Sequence, residues 1–141
     1  TSALDRAFNE MWKRMMDPLG IRVEFRPAQW PENLKNARAG RLMMWVLGNT
    51  ASSPDVDAFL YFGHSRNIGA SNFARFARPE YDRLYDQQKV LPDGPQRLAI
   101  IRELQRLFVV WMPYKFHGHR ITNDVMHPWL VGYRRHPFAR D

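Results

Sequence analysis

The segment Gly48-Asn49-Thr50-Ala51-Ser52-Ser53-Pro54 places four short polar side chains and several accessible backbone amides within seven positions. Such a loop can donate and accept hydrogen bonds to a polar ligand, and a bound peptide is held largely through contacts of that kind. The same residues also suit an ordinary connecting loop. Asp55 follows directly. A buried carboxylate needs a cationic partner, whereas one at a helix start can cap it, and Asp55 precedes a short helical pattern beginning at Val56. His117 and His119 are two apart and share one face if the segment is a strand, yet no carboxylate stands at suitable local spacing. A core or hinge role suits them better, and neither metal nor cofactor is expected. Ser, His and Asp are all present without a spacing that singles out a triad. The phosphate-binding glycine loop, the nucleophile elbow and the His-Glu-x-x-His helix have no counterpart here. These residues therefore point to binding and not to enzymatic catalysis.

The elements that must position these residues are written in the periodicity. Leu4, Phe8, Met11, Trp12 and Met15 form one stripe of an amphipathic helix over 3–16, ended by Pro18 and Gly20. Ile21, Val23 and Phe25 alternate with charged residues, as in a half-buried strand closed by Pro27. Residues 30–39 suit a helix with Pro31 in its first turn and Gly40 after its end. The apolar run Leu42–Leu47 between Gly40 and Gly48 reads as a buried strand, parallel to the first, with the polar loop at its C-terminal end. One or two helical turns are expected over 56–62, and an irregular stretch over 63–77. A helix over 79–90 carries Tyr81, Leu84, Tyr85 and Gln88 on one face. The turn 91–95 leads into the longest helix, 96–111, with a stripe of Leu98, Ile101, Leu104, Gln105 and Phe108. Residues 112–117 suit a last strand, and the remainder has little periodicity.

The 141 residues fit one domain-sized unit, and the 45% hydrophobic content excludes a wholly disordered chain. Without cysteine there is no disulfide, thiolate metal site or cysteine nucleophile. The net charge of +7 rests on 21 basic against 14 acidic residues, but the basic ones are scattered and never run beyond a pair. A nucleic-acid surface concentrates its charge, so a basic nucleic-acid or polyanion-binding domain is kept only as the alternative function. The longest apolar runs are far too short to span a bilayer. The first residues lack the pattern of a signal peptide, and the chain reads as part of something longer.

An ordered series of segments resembles the C-terminal part of bacterial extracellular solute-binding proteins of family 5, the peptide- and nickel-type substrate-binding components of ABC transporters. The series comprises Leu19-Gly20-Ile21-Arg22-Val23-Glu24 after the first helix, Trp30 through Leu47 with a Pro-Asp loop ending in Phe59-Leu60, and Asn72-Phe73-Ala74-Arg75-Phe76 followed by Pro79-Glu80-Tyr81-Asp82-Arg83-Leu84. It closes with the helix from Arg97 to Phe108 and Met112-Pro113-Tyr114. The resemblance runs over about residues 4–138. The segments Leu91-Pro92-Asp93-Gly94-Pro95, His119-Arg120-Ile121 and His136-Pro137-Phe138 place the chain nearest one subgroup. No single motif is specific; the order is.

The resemblance implies one α/β lobe of a type II periplasmic-binding-protein fold, with a small mixed or parallel sheet flanked by helices. Residues 1–119 would form a partial ligand-binding lobe, and 120–141 a crossover tail returning to the other lobe. It implies a periplasmic, exported protein that binds an oligopeptide or related polar solute for an ABC permease by closing two lobes about a hinge. The ligand-facing residues it implies are Trp45 and Phe73 as aromatics, Gly48, Asn49, Ser52 and Ser53 in the loop, and Asp55 and Asn72. Trp45 and Asn72 equally suit a core and a loop-anchoring role. Counting back from Phe59-Leu60, the family position that pairs with a peptide's amino terminus falls at Ser52 and not at Asp55, a departure from peptide binders.

Overall fold

The computed structural model describes residues 3–51, 53–116, 118, 121 and 123–134. It divides into two compact units, Thr1–Asn36 and Ala37–Asp141.

In the first unit, α1 (Ala3–Met16) has Asp5 in its first turn and Lys13 and Arg14 in its last, each favourable to the helix dipole. Helix α1 passes into a 3-10 turn, Asp17–Leu19, where Pro18 stops propagation. Gly20 then takes the left-handed conformation at φ 69°, and its N–H donates to the Asp17 carbonyl at 2.9 Å. The predicted stripe is present, yet no residue of α1 is fully buried, and Leu4 and Met15 stay largely exposed. Helix α2 (Trp30–Arg38) begins with Pro31 in its first turn, as expected.

The second unit is built on a helical hairpin. Helix α3 (Asp57–Leu60) is a single turn that continues as a 3-10 turn, Tyr61–Gly63, followed by another at Ser65–Asn67. Helix α4 (Pro79–Lys89) starts on Pro79, carries Glu80 and Asp82 in its first turn and ends on Lys89. Helix α5 (Pro95–Trp111) starts on Pro95 and stops at Met112, which takes a left-handed conformation at φ 42°. The Met112 N–H donates to the Phe108 carbonyl, and Pro113 cannot extend the helix.

Helices α4 and α5 pack against each other around a core of Leu60, Phe76, Tyr81, Leu84, Tyr85, Ile101, Leu104, Leu107 and Phe108. Tyr81, Leu84, Tyr85 and Gln88 are buried from one face of α4, as their spacing predicts. Gly63 is buried where a side chain could not fit, since a Cβ there would stand 2.7 Å from ring atoms of both Tyr81 and Phe108. The Tyr81 hydroxyl donates to the Leu60 carbonyl at 2.7 Å, tying α4 to α3. Asp82 accepts from the Ser65 N–H at 2.9 Å and from the Ser65 hydroxyl, fixing the second 3-10 turn.

The expected sheet is absent. Among the described residues there is no strand, only an isolated bridge between Ile68 and Asn72. The α/β lobe with a mixed or parallel sheet is thereby overturned for this structure. Along 21–25, Val23 and Phe25 are partly buried and their neighbours exposed, so the alternation is real but the backbone is irregular. In the Leu42–Leu47 run, Met43, Met44 and Val46 are 100%, 80% and 86% exposed. Of the third expected strand, 112–117, the described residues 112–116 form none after the left-handed turn at Met112, and His117 lies outside the described residues. Apolar content and alternation do not make a strand by themselves: its N–H and C=O groups need a neighbouring strand, and the described residues supply none. Two core expectations on α5 also change. Leu98 is 45% exposed and Gln105 lies outside, while Leu107 is buried. No helix of the described residues is long and apolar enough to cross a membrane.

Candidate binding site

Of the predicted site residues, Trp45 and Phe73 meet each other, and Ser53 and Asp55 line one cavity. The first set is aromatic. Trp45 and Phe73, 28 positions apart, meet edge to face with ring centroids 5.5 Å apart and planes at 85°. That geometry sets the positive edge of one ring against the negative face of the other. Both rings are half-buried, so each keeps part of its surface accessible.

Phe73 is held at that place by its surroundings. Its neighbour Asn72 is fully buried. The Asn72 amide donates to the carbonyls of Phe76 at 2.7 Å and His64 at 3.1 Å, and its oxygen accepts from the Phe76 N–H at 3.1 Å. Asn72 thus works as a loop anchor here. From the other side, Tyr114 brings its hydroxyl to the Phe73 N–H at 2.9 Å and the Ala74 N–H at 3.4 Å. The same hydroxyl reaches the Ser71 carbonyl at 3.4 Å. Arg75 adopts a left-handed conformation at φ 53°, and its guanidinium donates to the Arg38 carbonyl at 3.1 Å. Burial pushes the Tyr114 hydroxyl pKa upward, while the backbone donors of Ala74 and Phe73 pull it the other way.

The second set is polar. Gly48 and Asn49 are exposed and Ser53 is half-buried; Ser52, His117 and His119 lie outside the described residues. Ser53 and Asp55 line an open cavity of about 410 Å³ together with Asp57, Lys89, Leu91, Asp93 and Arg97. Its charged groups are largely paired. Asp55 accepts from the Asp57 N–H at 2.8 Å, a local turn that opens α3. Both Asp55 oxygens also lie against Arg97, at 2.9 and 2.8 Å. Arg97 reaches Asp93 at 2.6 Å and the Gln88 side-chain oxygen at 3.2 Å. Lys89 pairs with Asp57 at 3.1 Å. The Asp57 N–H, and then Arg97, hold the Asp55 carboxyl below its usual range against the opposing effect of burial. Asp55 thus has the partner that a part-buried carboxylate requires.

Sequence reasoning missed Arg97 and Tyr114. They act on residues 42 and 41 positions away, beyond any local pattern. Both stand in the last segment of the resembling series, and the Met112-Pro113 break turns the chain back after α5, but neither signal names the contact.

In sequence the chain is similar to proteins named for binding peptides and heme. Over most of its length it is similar, at modest identity, to relatives that are family 5 solute-binding proteins. Di/tripeptide-binding protein 2 of Pseudomonas aeruginosa is 30% identical over 130 residues, covering 87% of this chain and 24% of that protein. Heme-binding protein A of Haemophilus influenzae is 28% identical over 145 residues, covering 96% of this chain and 26% of its own. A dipeptide-binding protein of Pseudomonas aeruginosa is 24% identical over 125 residues, covering 87% of this chain and 23% of its own. The chain therefore spans about a quarter of the length of these relatives, which are named as binding proteins and not as enzymes. No family model matches the chain. No solved structure matches it either.

Proposed function

We propose that the chain is part of the ligand-binding lobe of an exported solute-binding protein. That protein captures a di- or oligopeptide, or a related polar solute, in the periplasm. It delivers the solute to an ABC permease without chemical change. Residues 1–119 belong to the ligand-binding lobe, and 120–141 form the crossover toward a second lobe that closes on the ligand about a hinge. The observation that carries this reading is the 30% identity with a di/tripeptide-binding protein over 87% of the chain. The Trp45–Phe73 pair supports it, because an accessible aromatic edge and face suit stacking on a ligand. Gly48, Asn49, Ser52 and Ser53 supply hydrogen bonds from the loop, while Asp55 and Asn72 support the site from behind it. Ser52, where a peptide-binding relative would have its amine partner, argues for a solute not held chiefly by its α-amine.

The charge lends less support to a polyanion-binding surface. Arg97 is engaged by Asp55 and Asp93, Arg106 by Glu103 and Arg26 by Glu24. Arg78 lies over the Trp111 ring at 3.4 Å.

The test is titration calorimetry on the full-length protein with a panel of di- and tripeptides and with hemin, since one relative is a heme-binding protein. Saturable binding of one class without turnover is expected, and Trp45→Ala weakens it about tenfold or more. Absence of binding to every member, or hydrolysis of a bound peptide, rejects the reading.

A further inference from the structure

The Tyr114 hydroxyl touches three backbone groups of the loop that carries Phe73: the N–H of Phe73, the N–H of Ala74 and the carbonyl of Ser71. Its ring is fixed independently of that hydroxyl. It stacks on Phe108 with planes 7° apart and centroids at 5.7 Å, and it meets Phe62 at 6.2 Å. Phe108 is itself buried in the α4–α5 core. The turn that delivers Tyr114 is equally constrained, with Met112 left-handed and Pro113 rigid. A half-buried aromatic stacked on the core thus presents one oxygen to an otherwise irregular loop.

We infer that Tyr114 is a positioning residue for the Trp45–Phe73 pair, setting through its hydroxyl the place of Phe73 and hence the aromatic face offered to ligand. The physical basis is the division of labour within one side chain. The ring carries the packing and the hydroxyl carries the loop's orientation. Tyr114→Phe keeps the first and removes the second. The Ala74 N–H loses its acceptor, the Phe73 N–H keeps only the Ser71 carbonyl at 3.1 Å, and Phe73 loses its tie to Tyr114. The part of this inference that concerns ligand rests on the solute-binding reading; the part that concerns the geometry of Trp45 does not.

The experiment uses the full-length protein grown with 5-fluorotryptophan, its Trp45 resonance assigned by the Trp45→Phe variant. In Tyr114→Phe the Trp45 fluorine signal is expected to shift or broaden, and the Phe73 and Ala74 amides to exchange at least tenfold faster. Affinity for the best dipeptide of the panel is expected to fall about fivefold. That loss should vanish when Tyr114→Phe is made in a Trp45→Ala background. An unchanged fluorine signal with unchanged exchange at Phe73 overturns the inference, whatever the affinity does. If the signal and exchange change but Trp45→Ala binds dipeptide as the parent does, the solute-binding role of the aromatic pair falls while the positioning of Phe73 stands. Tyr114→Leu, which loses the ring as well, serves as the control for general loosening. It must lower the melting temperature, whereas Tyr114→Phe is expected to leave it within about 2 °C.

Discussion

Arg97 holds Asp55 by both carboxylate oxygens across 42 residues of sequence, at 2.9 and 2.8 Å from one guanidinium nitrogen. The Arg97 side chain is 14% exposed and that of Asp55 40%. The contact fastens the start of α3 to the first turn of α5, and it gives the loop carrying Ser53 a fixed exit.

Asp55→Ala is expected to destabilise the protein by about 1 kcal/mol. That is the value of a charge-assisted hydrogen bond discounted for the exposure of the carboxylate. The pH dependence follows from the lowered pKa, caused first by the Asp57 N–H and then by Arg97. A carboxyl whose folded pKa lies below its unfolded value stabilises the fold above the unfolded pKa, here the ordinary 3.8. That stability disappears as pH falls through the folded value. Urea unfolding of parent and variant should therefore differ at pH 7, and the difference should shrink as pH falls below the unfolded 3.8.

Tyr81 reports on the opposite end of the pH scale. Burial, and secondarily Tyr85, raises its hydroxyl pKa well above the usual 10. A group with a raised folded pKa stabilises the fold below its unfolded pKa and loses that contribution as pH rises toward the folded value. Stability is thus expected to decline above about pH 10 as the unfolded chain ionises. In Tyr81→Phe this share of the alkaline decline is missing. At neutral pH that variant costs about 1–2 kcal/mol, because the Leu60 carbonyl loses its donor. Denaturation midpoints between pH 7 and 11 check both statements.

Gly63→Ala is the smallest change with a large expected effect. The added methyl meets two aromatic rings that are packed on every other side, so neither can withdraw cheaply. A loss of about 2 kcal/mol is expected. Pairing it with Phe108→Leu, which removes one of the obstructing rings, should make the two effects less than additive in a double-mutant cycle.

Asn72→Ala removes one acceptor and two donor contacts from a fully buried position, leaving the Phe76 N–H and two carbonyls without that partner. A cost of about 2–3 kcal/mol is expected. Asn72→Asp, nearly identical in shape, should cost as much, because a carboxylate cannot donate to the carbonyls of His64 and Phe76. Thermal denaturation of the two variants side by side separates lost volume from lost donors.

The helices were legible because their evidence is local. The spacing of Tyr81, Leu84, Tyr85 and Gln88 alone marks the buried face of α4. On α5 the stripe is read one turn too early. Arg97 occupies the packed side of the first turn for its ion pairs, so Leu98 is displaced outward and burial begins at Ile101. The strands failed for a different reason. Alternation at Ile21–Phe25 and apolarity at Leu42–Leu47 describe what a strand would bury, not whether a partner completes its hydrogen bonds. The candidate site shows the same division. The loop at 48–53 announces itself by residue type. The grip of Arg97 on Asp55 and of Tyr114 on Phe73 joins residues more than forty positions apart, through single atoms that no local pattern encodes.

Gln88 is fully buried between charges of opposite sign. Its amide nitrogen donates to Asp57 at 3.0 Å, and its oxygen accepts from Arg97 at 3.2 Å. A neutral side chain with one donating and one accepting end fits such a place; a glutamate would set two carboxylates together, and an apolar residue would take one hydrogen bond from each ion. Asp57, Gln88 and Arg97 are therefore bound to one another in mutational drift. A change at Gln88 takes a hydrogen bond from both ions at once, while Asp57 keeps Lys89 and Arg97 keeps Asp55 and Asp93.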